Sequence, residues 1–334
     1  MRGLALACCG TLVLLVAGGA AGQPVGGDIE PAWSPSGKQI AFARDVNGFG
    51  EIYVMDASGG GVRALTHGAP DHFDPTWSPN GKTIAFSKLT VSHGQTVAGE
   101  VMTVPAAGGA PRQLTSGGAG YDEVLGWSPD GTQLAFERIV AGVGSVYVTG
   151  KGGTRDLTPG TKDDYLAAWS PDGKKLAFVQ TQANAFGDIY VMNADGTGVH
   201  AIVTNPGDDT SPRWSPNGKE IAYMDHRGPH YEIYLVGAGG GTRRLTHSSG
   251  DARDPSWSPD GKKIVYSTSI NGNYQIAVVN ADGSGQRTLT SSTGDNTHPT
   301  FSPDGRKIAF ESTRNGPSAI FVMNADGSDQ HKLG

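Results

Sequence analysis

"WSPDGKKLAF", residues 169–178, joins an aromatic anchor, a tight-turn signature and a short alternation of polar and apolar side chains. Variants of it begin at Pro31 (PAWSPSGKQIAF), Pro75 (PTWSPNGKTIAF), Leu125 (LGWSPDGTQLAF), Ala167, Pro212 (PRWSPNGKEIAY), Pro255 (PSWSPDGKKIVY) and Pro299 (PTFSPDGRKIAF). The anchors Trp33, Trp77, Trp127, Trp169, Trp214, Trp257 and Phe301 recur every 42 to 50 residues. A period of that length marks a repeat architecture.

Ser-Pro-Asp/Asn-Gly reads as a hairpin turn. Proline presets the first turn angle, Asp or Asn bonds the local backbone, and glycine takes a positive φ without steric cost. The residues after it, such as Lys174-Lys175-Leu176-Ala177-Phe178, alternate as a half-buried strand does. About ten residues on comes a second signature, IYVMDASGGGVRALT from Ile52 or IYVMNADGTGVHAIVT from Ile189, which supplies a β-branched strand, another turn and a fourth strand. Each unit is therefore a four-stranded antiparallel meander that cannot bury both faces alone and must stack on its neighbours around an axis. The expected fold is all-β: one β-propeller over residues 23–334, with seven blades, six being the alternative. The residue before each anchor is small except Arg213, which should reach the channel or a carboxylate.

The chain has 334 residues, a net charge of -6, 51 glycines and 20 prolines, a turn-rich composition. No basic cluster interrupts it, which argues against a nucleic-acid partner. Residues 1–22 combine Arg2, an apolar run from Leu4 to Val16 and the small residues AGGAAG, the pattern of a secretory signal peptide. Both cysteines, Cys8 and Cys9, lie inside it, so the mature chain would have neither disulfide nor thiol nucleophile and no transmembrane segment.

The repeated residues resemble the WD40-like beta-propeller repeat of the TolB family, Pro-x-Trp-Ser-Pro-Asp-Gly-Lys-x-Ile-Ala-Phe followed by Ile-Tyr-Val-Met-Asn-Ala-Asp-Gly. The resemblance implies a periplasmic or secreted, non-enzymatic scaffold with a protein or peptide partner in the cell envelope. TolB itself places an α/β domain before a six-bladed propeller, whereas eight residues, 23–30, separate the expected cleavage site from the first repeat here. The repeat is also similar to the propellers of prolyl-oligopeptidase-type peptidases, but the chain has no G-x-S-x-G elbow.

Ligand contacts are expected on the face of the longer loops, where the segment 87–100 is about five residues longer than its counterparts. A recurrent acid lies five or six residues before each anchor: Asp28, Asp71, Asp122, Asp163 with Asp164, Asp208 with Asp209, Asp251 and Asp295. An Asp in a turn commonly bonds its own backbone, which is the structural reading of this series. Three residues before the anchors stand Glu30, Asp74, Val124, Leu166, Ser211, Asp254 and His298. In a closed ring the four ionisable members fall on one side. The candidate binding residues are thus Glu30, Asp74, Asp254 and His298, with Asp71 and His72 beside them.

No cofactor is expected, except that Glu30, Asp74, Asp254 and His298 are the residues that would hold a divalent cation in the channel. That arrangement would suit a metal-assisted lyase or hydrolase acting on polysaccharide or peptide, the alternative to a scaffold. The turns at Asn193 and Asn280 lack the acidic twelfth position of a calcium loop, and "GAGGGT" at Gly237 precedes no helix and predicts no nucleotide site. A monomer is expected.

Overall fold

The computed structural model describes residues 27–92, 95–116, 118, 120–181, 186–237 and 239–334. The expected signal peptide, with Cys8 and Cys9, lies outside them. The described residues form 28 strands and no helix, in seven successive antiparallel units of four. The first unit comprises Asp28–Trp33, Gln39–Val46, Phe49–Asp56 and Arg63–Ala64, and the last Asn296–Phe301, Lys307–Ser312, Ala319–Asn324 and His331–Lys332. Units two and three are joined into one sheet by a single parallel pair, Gly99 with Tyr121.

Each first strand packs on the first strand of the next unit, and that of the last unit packs on that of the first. The seven first strands therefore encircle the axis of a closed propeller. Every blade draws its four strands from one contiguous stretch, so the ring closes without strand exchange. At the closure Asp28 N donates to Ser318 O (2.8 Å) and Ser318 Oγ to Asp28 O (3.0 Å).

The burial pattern explains why a blade cannot stand alone. Seven apolar clusters form, each shared by two adjacent blades. The closing one joins Ile40, Phe42 and Met55 to Ala309, Ile320, Val322 and Leu333. Phe42, Phe86, Phe136, Phe178, Tyr223, Tyr266 and Phe310, one per blade, are completely buried on the second strands. Burying such a side chain contributes roughly 2 kcal/mol, and here every such gain requires a neighbour.

The opening motif supplies two further rings of contact. Six anchor indoles donate from Nε1 to the carbonyl of the residue before the preceding blade's anchor: Trp33 to Thr300 (3.3 Å), Trp77 to Ala32 (3.0 Å), Trp127 to Thr76 (3.3 Å), Trp169 to Gly126 (3.2 Å), Trp214 to Ala168 (3.1 Å) and Trp257 to Arg213 (3.0 Å). Phe301 has no donor to offer. Below the indoles, each turn glycine sits against the proline of the preceding blade's turn, with φ of 67° to 69°. A Cβ there would meet only ordinary contacts of 3.4 to 3.8 Å, so the glycine answers to its backbone angle rather than to space.

One expectation is corrected, and one of the two alternatives for Arg213 is removed. Segment 87–100 is not a longer loop but a longer hairpin: strands Thr83–Ser92 and Gln95–Pro105 stay paired out to Ser92 and Gln95. Arg213 is exposed and donates from Nη1 to the carbonyl of Pro212 (3.1 Å), rather than to a carboxylate.

Candidate functional site: the channel mouth

The residues three before the anchors occupy a bulge in each first strand, where two residues oppose one on the second strand. Glu30, Asp74, Leu166, Ser211, Asp254 and His298 all adopt φ between 49° and 60°. Val124 is the exception, and the reason is steric, since a β-branched side chain tolerates that region worst. Its blade shifts register one residue later instead. Because the bulge recurs in polar and apolar blades alike, it belongs to the architecture, while the identity of its residue is what varies.

On one side of the ring these side chains link blade to blade. His298 Nδ1 forms an ion pair with Glu311 Oε1 at 3.2 Å, and that oxygen accepts from Glu30 N (2.7 Å). Glu30 Oε2 accepts from Asp74 N (2.5 Å), Asp74 Oδ2 from Ser87 Oγ (3.2 Å), and Ser87 Oγ from Val124 N (2.9 Å). Asp254 Oδ2 accepts from Ser267 Oγ (3.2 Å). The relay runs from the seventh blade through the first and second to the third.

Sequence reasoning missed half of it. Glu311, Ser87, Ser267 and Glu137 occupy one position, directly after the buried aromatic of the second strand, where the other three blades carry Ala43, Val179 and Met224. Polar residues in four of seven copies of a core-side position were the signal. The third blade is acidic too, because Glu123 and Glu137 are direct cross-strand partners. The apolar side of the ring is thus confined to blades four and five, with Leu166, Val179 and Met224.

Electrostatics follow from this crowding. Burial, then the charges of Glu30 and Glu123, raises Asp74 well above the usual carboxylate range. Burial, then Glu123 and Asp163, does the same to Glu137, and burial raises Glu123. For His298, burial opposes the charge but is outweighed by Glu311, Asp254 and Glu30, which hold it up at about 10. Its side chain is 40 % exposed, so this cation is presented at the mouth rather than sealed. Among the described residues, no group of three or more His, Cys, Asp or Glu could hold a metal ion.

Asp71 and the acids equivalent to it are committed elsewhere. Asp71, Asp163, Asp208, Asp251 and Asp295 each accept, through Oδ1, the N–H opening the preceding blade's third strand, from Gly50, Gly144, Gly187, Tyr231 and Tyr274 at 2.7 to 3.0 Å. At the two junctions without that acid, backbone pairs substitute: Asp28 with Ser318, and Gly99 with Tyr121. One residue later, Asp28 and Asp122 pair with Arg44 (2.6 Å) and Arg138 (2.7 Å). The five acids of the Asp71 series thus join blades, and the Asp28 and Asp122 carboxylates tie the first strand to the second within one blade. His72 is buried edge-on against Phe86 and 3.2 Å from Glu51, and burial lowers its pKa despite that carboxylate. It borders a groove of about 430 Å³ between blades one and two, shared with His67, Lys88, Met102 and Pro111.

The model of a family described as "TolB beta propeller domain" matches residues 21–155, 127–253 and 210–334. The chain belongs to the TolB beta-propeller domain family. Its fold is similar to that of TolB from Acinetobacter baumannii (19 % identity, 92 % of this chain and 78 % of that one, TM-score 0.57). It is also similar to an oligogalacturonate lyase from Vibrio parahaemolyticus (16 %, 90 % of each chain, 0.73). A third likeness is to the β-propeller domain of the trilobed protease from Pyrococcus furiosus, described as having an open velcro topology (12 %, 93 % and 96 %, 0.70). Among curated proteins, none matches the sequence. No helix among the described residues is long and apolar enough to cross a membrane.

Proposed function

We propose that this TolB-like propeller is a secreted or periplasmic, monomeric scaffold that binds a protein or peptide of the cell envelope at the channel mouth, through Glu30, Asp74, Asp254 and His298. The observation that carries this reading is the relay His298–Glu311–Glu30–Asp74–Ser87. It sits at a ring of bulge residues that differ from blade to blade, and it leaves more carboxyl groups than cations around a part-buried histidine. Divergence among repeats at a single ring is where a ligand contact is expected, because scaffold contacts are met identically in every blade.

The test is capture from a cell-envelope extract by the purified protein and by a variant with Glu30→Gln, Asp74→Asn, Asp254→Asn and His298→Gln. A partner held by the first and lost by the still-folded second is expected; capture that survives all four changes would reject the mouth as the site. The lyase or hydrolase alternative is tested by incubating the protein with polygalacturonate and a divalent cation, where turnover would overturn the non-enzymatic reading.

A further inference from the structure

The face that carries the mouth is divided by a second pattern. Five of the seven large apolar side chains exposed among the described residues, Phe49, Val97, Val140, Val143 and Phe186, are 36 to 55 % exposed and belong to the connections between second and third strands of blades one to four. The same connections in blades five to seven present His226, Asn271 and Asn315. Turn chemistry does not require the apolar set. In blades one and six the turn is Asn-Gly, with Asn47 and Asn271 at φ of 57° and 52°, a conformation asparagine tolerates. In blade three Ala141 takes the same position at φ 53° between Val140 and Val143. There the chain forgoes the favoured turn residue and keeps an apolar tip, a local rule broken in one place.

Charge supplies the second half. Val140 lies three residues beyond Glu137 on the same strand, roughly 10 Å at strand spacing, and Glu137 faces Glu123. Three cations next to the apolar arc are paired, Arg44 with Asp28, Lys88 with Glu100 and Arg138 with Asp122, and the exposed Lys162 donates to the Gln180 side chain (2.5 Å). The carboxyl pair Glu123–Glu137 beside the arc takes part in none of these ion pairs.

We propose that this face docks a cationic amphipathic segment of another protein, which places a lysine or arginine side chain at Glu123, Glu137 and Asp74 and lays apolar side chains across Phe49, Val97, Val140, Val143 and Phe186. This rests on the scaffold reading above and names its partner's chemistry. An incoming cation would favour the ionised form of carboxyls whose pKa burial and neighbouring charges raise, so docking releases protons and tightens as pH rises.

The experiment titrates the purified protein into an 18-residue leucine–lysine amphipathic helix, a leucine–glutamate counterpart, and phosphatidylcholine vesicles, by fluorescence anisotropy and by calorimetry in buffers of different ionisation enthalpy. The leucine–lysine peptide is expected to bind with proton release, and the leucine–glutamate peptide not to bind. Val140→Ser with Val143→Ser, and separately Glu137→Gln, each weaken binding at least tenfold while the melting transition persists. Equal binding of both peptides, no loss in either folded variant, or association with vesicles instead of peptide would each overturn the proposal. An envelope partner whose capture needs Glu30, Asp74, Asp254 and His298 but tolerates the two valine changes would sink this inference and leave the scaffold reading standing.

Discussion

The two ends of the propeller obey opposite rules. At the turn end, every blade repeats the same contacts: an anchor over the preceding blade, a glycine against a proline, and a serine hydroxyl accepting the amide five residues on. At the mouth, the equivalent bulge is Glu, Asp, Val, Leu, Ser, Asp and His in turn. Repetition is what closing a ring requires, because each blade must meet its neighbour identically. Departure from it at one ring is what a unique ligand requires.

The comparison breaks most visibly at the turn end. Trp169→Ala removes a half-buried indole and its bond to Gly126, and should destabilise by about 3 kcal/mol in denaturant unfolding. Trp169→Phe should cost only about 1 kcal/mol, the worth of the hydrogen bond, since Phe301 already serves its own blade without one. Gly173→Ala, at φ 69°, should cost about 1–2 kcal/mol through backbone strain alone. A loss well above that would mean the glycine is also needed for space.

A buried pair at the upper end sharpens the contrast through pH. Asp209 is fully buried beside Asp225, and burial together with that neighbour's charge pushes it up to about 9. The folded state then holds a proton that the unfolded state releases near pH 4, so this group's contribution to stability is present below pH 4 and is lost as pH rises towards 9. Asp209→Asn should therefore match the parent in thermal melts near pH 4 and exceed it increasingly up to pH 8. The opposite trend would show that the carboxylate form is the one the fold needs. Asp74→Asn should likewise match the parent near pH 4 and exceed it in thermal melts at pH 7, because burial and the charges of Glu30 and Glu123 disfavour the carboxylate that the unfolded chain forms freely. The smallest effect is Ser36→Asp. Ser36 is the one turn residue without a carboxylate or carboxamide, and Lys38 N reaches its hydroxyl only at 3.4 Å, against 2.9 to 3.1 Å for the backbone bonds in the other blades. A gain of about 0.5 kcal/mol is expected.

The architecture was legible because its determinants are local and repeated seven times over: turn residues, strand alternation and an anchor at fixed spacing. The bulge position was legible as a ring for the same reason. What alignment of the repeats did not reveal was the pairing across strands and blades. Glu311 and Glu123 enter the mouth only through the register of the first two strands, and Asp71 leaves it because the N–H of Gly50 in the preceding blade claims its carboxylate. A single repeat offers the turn acids only their own backbone, and their true partners belong to the preceding blade. Arg213 likewise shows that an unusual residue in a repeat need not seek a charge.

The most direct test places a photo-crosslinking side chain at Val143, beside the mouth, and separately at Lys174, on the opposite turn face, and irradiates each protein in a cell-envelope extract. A crosslinked partner from position 143 and none from position 174 is the predicted result. Crosslinking from position 174 alone would put the ligand on the repeated face and contradict the account.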